Sequence, residues 1–255
     1  MLVNETTSLY SERLVLRPYR RWHVPRYHEW MQDEALREQT ASERLTYDQE
    51  EEMQRSWRLD DDKLTFIVHA RNPLAPSPTD DPRAFLQAHN DESTMLGDVN
   101  LFLHSEEEEE EGSEPDDHEG EPSGRRDSRV AELEIMLPPP PTSPSPSSSS
   151  SASTSTHRPR TGIAFETLRT FMTYARGALD LDRGAFIVKI GYDNEPSLSL
   201  FRKLGFVETK RVDVFREVEM RYPRSSMTTS RSKEFEWERD VAVGVLQDPR
   251  DPLRD

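Results

Sequence analysis

The sequence predicts an α/β fold, a mixed sheet with helices on both faces, from three observations. Segments with strand and helix periodicity alternate in the order strand, helix, helix, strands, helix, strand, helix, strand. Residues 185–190 (AFIVKI) are apolar almost throughout, as a strand buried on both faces must be. A helical stripe separates them from the strand at 130–137 (VAELEIML), and such a strand–helix–strand unit demands a right-handed crossover with parallel pairing.

Residues 13–19 (RLVLRPY) read as the first strand. In HVPRYHEWMQ, Val24, Tyr27, Trp30 and Met31 recur at helical spacing, and Pro25 lies near the first turn, where its missing N–H costs little. Thr46 and Gln49 in TYDQEEEMQRSW have capping-box spacing, each able to satisfy an orphan amide, so a second helix starts there. Strands follow at 64–69 (LTFIVH), 96–103 (LGDVNLFL) and 130–137. In the last, Ala131, Leu133, Ile135 and Leu137 share one face, and Glu132, Glu134 and Met136 the other. Ile163, Leu168, Phe171, Met172, Ala175 and Leu179 form the stripe of the crossover helix, which ends near Gly177. Beyond AFIVKI, EPSLSLFRKL is a short helix stopped at Gly205, and VDVFREVEMRY reads as one closing strand.

Only 33% of the 255 residues are hydrophobic and 19 are proline, so the folded part is smaller than the chain. Three stretches read as solvated, disordered insertions: 72–92 with four prolines, the acidic 105–128, and the Pro/Ser/Thr tract 138–158. The expected organisation is one domain over 1–223 interrupted by these insertions, then a polar, loosely ordered tail over 224–255.

Eleven acidic and no basic residues lie between Ser105 and Glu121, and without them the net charge of −16 falls to −5. No clustered basic face offers itself to nucleic acid, and no apolar run is long enough to cross a bilayer. With no cysteine, disulfides, thiolate metal sites and a Cys nucleophile are excluded. The expectation is a metal-free protein of the cytoplasm, with the nucleus also open to it.

Two segments carry candidate chemistry. HRPRTGIA leads into the crossover helix, whose first N–H groups attract a phosphate and whose Gly162 would let it approach; Gly162 equally suits a tight turn. NEPSLSLFRKLGF begins with Asn194, which could bond a ligand's amides or merely cap a helix. The two together, one helix and one strand apart, are more specific than either alone.

That combination resembles the GNAT acetyltransferase superfamily, which has an Arg/Gln-x-x-Gly-x-Gly/Ala loop followed by Asn-x-x-Ser and a terminal Gly-Phe. A closer resemblance is to the N-acetyltransferase 9 family, through HVPRYHEWM, ASERLTYDQEEEMQRSWRLDDDKLTFIV, GDVNLFL, AELEIML, NEPSLSLFRKLGF and VFREVEM. The resemblance implies the GNAT acyl-CoA N-acyltransferase fold, with a mixed, mostly antiparallel sheet, and acetyl-CoA as co-substrate in a V-shaped opening between VAELEIML and AFIVKI. It implies backbone at Met136 and Leu137 for the pantetheine amides, and amides and cations from Arg158, Arg160, Thr161, Gly162, Ile163 and Ala164 for the pyrophosphate. Asn194, Ser197 and Phe201 would face the cofactor.

The family transfers acetyl directly to an amine, here one of a protein or peptide. A neutral amine attacks the thioester, a backbone N–H steadies the oxyanion and the thiolate leaves. Glu132 and Glu134, on the polar face of the strand entering the cleft, are the candidate bases, Glu134 the better placed. His23 and His28 border the acceptor side and read as packing or surface residues.

Two departures stand out. Pro159 occupies the usual Arg/Gln position, and Phe201 stands where many members carry a proton-donating Tyr. They motivate an alternative, a non-catalytic GNAT-fold module that binds a protein partner; a third reading makes the acidic run a contact for a basic partner. Oligomeric state has no signature in the sequence.

Overall fold

The structure is a computed structural model in which residues 1–105, 129–139, 162–224 and 244–247 are described. In chain order the strands are β1 (Thr7–Tyr10), β2 (Leu14–Pro18), β3 (Lys63–Ala70), β4 (Met95–Ser105), β5 (Arg129–Met136), β6 (Phe186–Gly191), β7 (Val207–Val212), β8 (Glu217–Arg221) and β9 (Gly244–Gln247). The helices are α1 (Val24–Trp30), α2 (Glu34–Gln39), α3 (Tyr47–Leu59), α4 (Pro82–Gln87), α5 (Ile163–Ala178) and α6 (Glu195–Leu204).

These strands form a single sheet in the order β7-β8-β6-β5-β4-β3-β2-β1-β9. Among the described residues β5 and β6 pair in parallel, as the crossover requires, and every other pairing is antiparallel. Alternation along β5 sends Ala131 and Leu133 into one core and Met136 into another on the opposite face. The first core is closed by Leu168, Phe171, Met172 and Ala175 of α5 with Leu198, Phe201 and Leu204 of α6. The second packs Val24, Tyr27 and Trp30 of α1 against Ile67, Met95 and Met136, with Met53 and Trp57 of α3 beside them. The capping box at the start of α3 is complete: Gln49 N–H donates to Thr46 Oγ1 at 3.3 Å and Thr46 N–H to Gln49 Oε1 at 2.9 Å.

Several segments depart from the sequence reading. Within the stretch read as a solvated insertion, α4 is capped by Asp81, which accepts from Ala84 N–H at 2.9 Å, and it buries Phe85 and Leu86 against Val15 and Leu246. Two adjacent apolar residues behind an Asp-Pro start anchor this helix despite the polar residues around it. Residues 244–247, assigned to the loose tail, form β9 on β1, two short strands with too little alternation to register in the sequence. VDVFREVEMRY is not one strand; the chain turns at 213–216, with Arg216 at φ 55°, and β7 and β8 form a hairpin whose Val214 and Phe215 are exposed. The remainder of the expected insertions, 106–128 and 140–158, and of the tail lies outside the described residues.

Gly97 sits on β4 against the end of β5. Its φ is +157°, and a Cβ there would meet the carbonyl oxygen of Met136 at 2.0 Å. Gly97→Ala is therefore expected to destabilise the fold by about 2 kcal/mol or more, because backbone rather than a flexible side chain must yield. A thermal melt checks this, and an unchanged melting temperature would show that β4 can move away from β5.

Candidate active site

Strands β5 and β6 are paired over only the start of their common length, Ala131 with Phe186 and Glu132 with Ile187. Beyond this, β5 remains paired with β4 as far as Met136 and β6 with β8 as far as Gly191, while no further β5–β6 pairing is formed. The two strands therefore part toward their C-terminal ends and leave the backbone of Leu133–Met136 with an edge that no described strand takes up. An edge of unpaired N–H and C=O groups suits a chain of amides.

Gly162 is the N-cap of α5, at φ +74°, and no side chain among the described residues caps the helix. The first N–H groups of a sixteen-residue helix are thus open to an anion. The helix start is tied to the β1–β2 turn by Glu166, which accepts from Ser11 Oγ at 2.7 Å and from Arg13 Nε at 2.6 Å. This brings the Arg13 guanidinium beside Gly162, with Nη2 3.5 Å from where a Cβ would stand. Nothing in the sequence pointed to Arg13, because only the folded sheet carries the β1–β2 turn to the start of α5.

On the opposite face of the sheet, Glu132 and Glu134 prove unequal. Glu132 is engaged by Lys189 Nζ at 3.1 Å and lies 3.5 Å from His104 Nε2. No side-chain hydrogen bond or ion pair among the described residues engages Glu134. Its side chain is open to solvent, yet the protein crowding around it strips hydration from the charge. That desolvation, with the negative charges of Asp98 and Glu132 beside it, pushes its carboxyl up to about 7, against the pull of Lys63. Directly across from Glu134 in register is Asn100, whose Nδ2 donates to Asp98 Oδ2 at 2.8 Å. Glu134 has the charge balance of a general base operating near neutrality.

The other expected site residues are distributed as follows. Met136 ends β5 and Leu137 follows it, both at the edge of the opening; Ile163 and Ala164 start α5. Asn194 closes the turn after β6 and caps α6, its Oδ1 accepting from Ser197 N–H at 3.2 Å. Phe201 lies in the core at 1% exposure, its ring edge-on to Phe206, so it offers no surface to a cleft. Arg158, Arg160 and Thr161 lie outside the described residues.

His23 is fully buried and structural, and its ring pattern can be assigned from its partners. Arg20 N–H donates to its Nδ1 at 2.9 Å, so Nε2 carries the proton and donates to His69 Nε2 at 3.2 Å; His69 then donates from Nδ1 to Thr94 Oγ1 at 2.9 Å. Burial holds both rings neutral, with pKa values well below the ordinary range. His28 stands on the surface of α1, 3.7 Å from Glu50.

Among the described residues no group of three or more His, Asp or Glu could hold a metal ion, and no helix is long and apolar enough to cross a membrane. The acetyltransferase (GNAT) domain model matches residues 13–207, most of the chain and all of the elements that build the opening. The chain belongs to the GNAT acetyltransferase family. An N-acetyltransferase 9-like protein of Nematostella vectensis is 38% identical to this GNAT chain over 228 residues, covering 89% of it and 91% of the relative. Alpha/beta-tubulin-N-acetyltransferase 9 of Drosophila melanogaster is 37% identical over 225 residues, covering 88% and 90%. Among solved structures, the RimL ribosomal L7/L12 α-N-protein acetyltransferase in complex with coenzyme A aligns with a TM-score of 0.52 at 13% identity, covering 84% of this chain and 95% of that one, a likeness of fold.

This GNAT protein is an acetyl-CoA-dependent N-acetyltransferase. Acetyl-CoA supplies the activated acetyl group. The open edge of β5 and the uncapped start of α5, both at the same end of the sheet, are the groups that fit its amide chain and its pyrophosphate.

Proposed function

We propose that this acetyltransferase modifies a protein amine, with tubulin as the acceptor and Glu134 as the general base. The observation that carries the base assignment is the contrast along β5: Glu132 is held by Lys189, whereas Glu134 makes no ion pair among the described residues and, despite the pull of Lys63, has a carboxyl pushed up to about 7. Support for tubulin comes from the name borne by the Drosophila relative.

In this reading the backbone of Met136 and Leu137 receives the pantetheine arm, and Gly162, Ile163 and Ala164 with Arg158, Arg160 and Thr161 receive the pyrophosphate. Asn194 and Ser197 border the far wall. Arg13 adds positive charge at the helix start, tempered by its pairing with Glu166. The acceptor ammonium loses one proton to Glu134, which passes it on to solvent. The neutral amine then attacks, a C–N bond forms as the C–S bond breaks, and the second proton shed by the nitrogen reaches the leaving thiolate through water. Phe201 has no role in that last step; a thiolate is a tolerable leaving group without a protein acid.

The test is incubation of purified protein with tubulin dimers and acetyl-CoA, followed by mass spectrometry of tubulin peptides. Acetyl groups that appear with the wild type and not with Glu134→Gln are the expected result. Acetylation of a general peptide library with none on tubulin would overturn the acceptor, and equal activity of the variant would overturn the base.

A further inference from the structure

Resting on Glu134 as the base, we propose that Asp98 is a positioning residue for the reaction, a buried second carboxylate that sets the basicity of Glu134 from the adjacent strand β4. Asp98 and Glu134 occupy the same face of adjacent antiparallel strands. The register sets Asn100 opposite Glu134 and Asp98 opposite Met136, which makes the two carboxylates diagonal neighbours with Asn100 beside both.

The surroundings of Asp98 are unusual for a structural aspartate. It is 1% exposed, and both of its donors, Asn100 Nδ2 at 2.8 Å and Tyr27 Oη at 3.5 Å, approach the same oxygen, Oδ2. Oδ1 is buried with no hydrogen-bond partner, as is Oδ1 of Asn100. No described cation pairs with Asp98. A carboxylate buried on these terms opposes folding, and an asparagine of the same shape would fill the space without that cost. A destabilising charge kept next to a catalytic group is a mark of function rather than of packing.

The charges around the pair define the effect. Strand β5 contributes Glu132 and Glu134, and the charge of Glu132 is offset by Lys189 and His104. Strand β3 contributes Lys63, whose Nζ lies 5.1 Å from the ring centroids of Trp57 and Phe102. Tyr27 of α1 and Tyr19 present hydroxyl groups, both held un-ionised by burial, and α3 contributes Glu50, which faces His28. Lys63 is thus the cation that opposes the neighbouring carboxylates at Glu134. Burial raises the Asp98 carboxyl to about 7, the same range as Glu134, so the two protons leave in coupled steps. Negative charge on Asp98 makes Glu134 a stronger base at the pH where an amine must be deprotonated.

The experiment compares wild type, Asp98→Asn and Tyr27→Phe by two readouts. One is the pH profile of kcat/KM at saturating acetyl-CoA; the other is the carboxyl ¹³C titration of Glu134 in protein without substrates. In Asp98→Asn both midpoints are expected to fall by about one pH unit, with the KM for acetyl-CoA unchanged. Tyr27→Phe removes a donor to the Asp98 anion, keeps that group protonated longer, and is expected to move Glu134 the same way by less. If Asp98→Asn does not fold, the Tyr27→Phe titration decides. A Glu134 titration that stays in place overturns the proposal; wild-type activity in Glu134→Gln is the separate result that overturns the base on which it rests.

Discussion

Glu134→Gln is expected to lower kcat/KM about 100- to 1000-fold while leaving acetyl-CoA affinity unchanged, because the amide keeps the shape of the side chain and removes its ability to take a proton. The pH dependence makes the test specific. A base works in its deprotonated form, so wild-type kcat/KM should rise with pH through a midpoint near 7, where desolvation and the neighbouring carboxylates put the Glu134 carboxyl. In the variant that limb disappears and only the acceptor's own ionisation remains. An α-amine levels off above about pH 8, whereas a lysine acceptor keeps gaining rate to about pH 10, so the residual limb also reports which kind of amine is used. A variant that retains the midpoint near 7 would show that another group takes the proton.

The same substitution has an opposite consequence for stability. A carboxyl whose folded pKa is raised binds its proton more tightly in the folded than in the unfolded state. Stability then falls as pH climbs from the ordinary carboxylate range, 4.5 for glutamate, through about 7. Above that window Glu134 carries a charge that folding has partly desolvated, and Glu134→Gln should melt at a higher temperature than wild type, the difference vanishing at acid pH. Lower activity together with higher stability is the signature of a functional charge.

The strands and helices that build the cleft were legible because their periodicity is long. AFIVKI and the stripe from Ile163 to Ala175 each commit several residues to one burial pattern, and the parallel pairing of β5 with β6 follows from their order along the chain. Short elements whose stabilising partners lie far away in sequence were not legible. Strand β9 is held by pairing with β1 and by Tyr10, whose ring packs so close to Gly244 that a Cβ there would collide with it, and α4 is held by Val15 and Leu246, partners distant in sequence. Within the site, the sequence could place Glu132 and Glu134 on one face but could not rank them by charge. That ranking depends on Lys189, which only the β5–β6 pairing brings to Glu132, and on Asp98, which only the β4–β5 register brings near Glu134. Phe201 shows the reverse error: its position in a resembling motif suggested a cofactor contact, while the amphipathic face of α6 commits it to the core.

Gly162→Asp is expected to weaken acetyl-CoA binding at least about 100-fold, whereas replacing residues 140–155 with a short connection should leave it nearly unchanged. At the N-cap of α5 the introduced carboxylate would stand among the helix's first N–H groups and beside Arg13, taking up the donors that suit a pyrophosphate. A negative charge about 4 Å from a phosphate near the surface costs on the order of 4 kcal/mol, enough for the stated loss. Space is not the limitation, since the nearest atom to a Cβ there is Arg13 Nη2 at 3.5 Å. Gly162→Ala therefore separates charge from strain: it keeps the positive φ of +74° unfavourable, a destabilisation of about 1 kcal/mol, without placing an anion at the helix start. Residues 140–155 contain only Pro, Ser, Thr and Ala, so they bring no cation to the cofactor, and shortening a loop changes its closure entropy by only about 0.6 kcal/mol per halving. Isothermal titration with acetyl-CoA measures all three variants. Equal losses from Gly162→Asp and from the loop replacement would mean that the tract belongs to the binding site, and a Gly162→Asp protein that binds normally would move the pyrophosphate away from the start of α5.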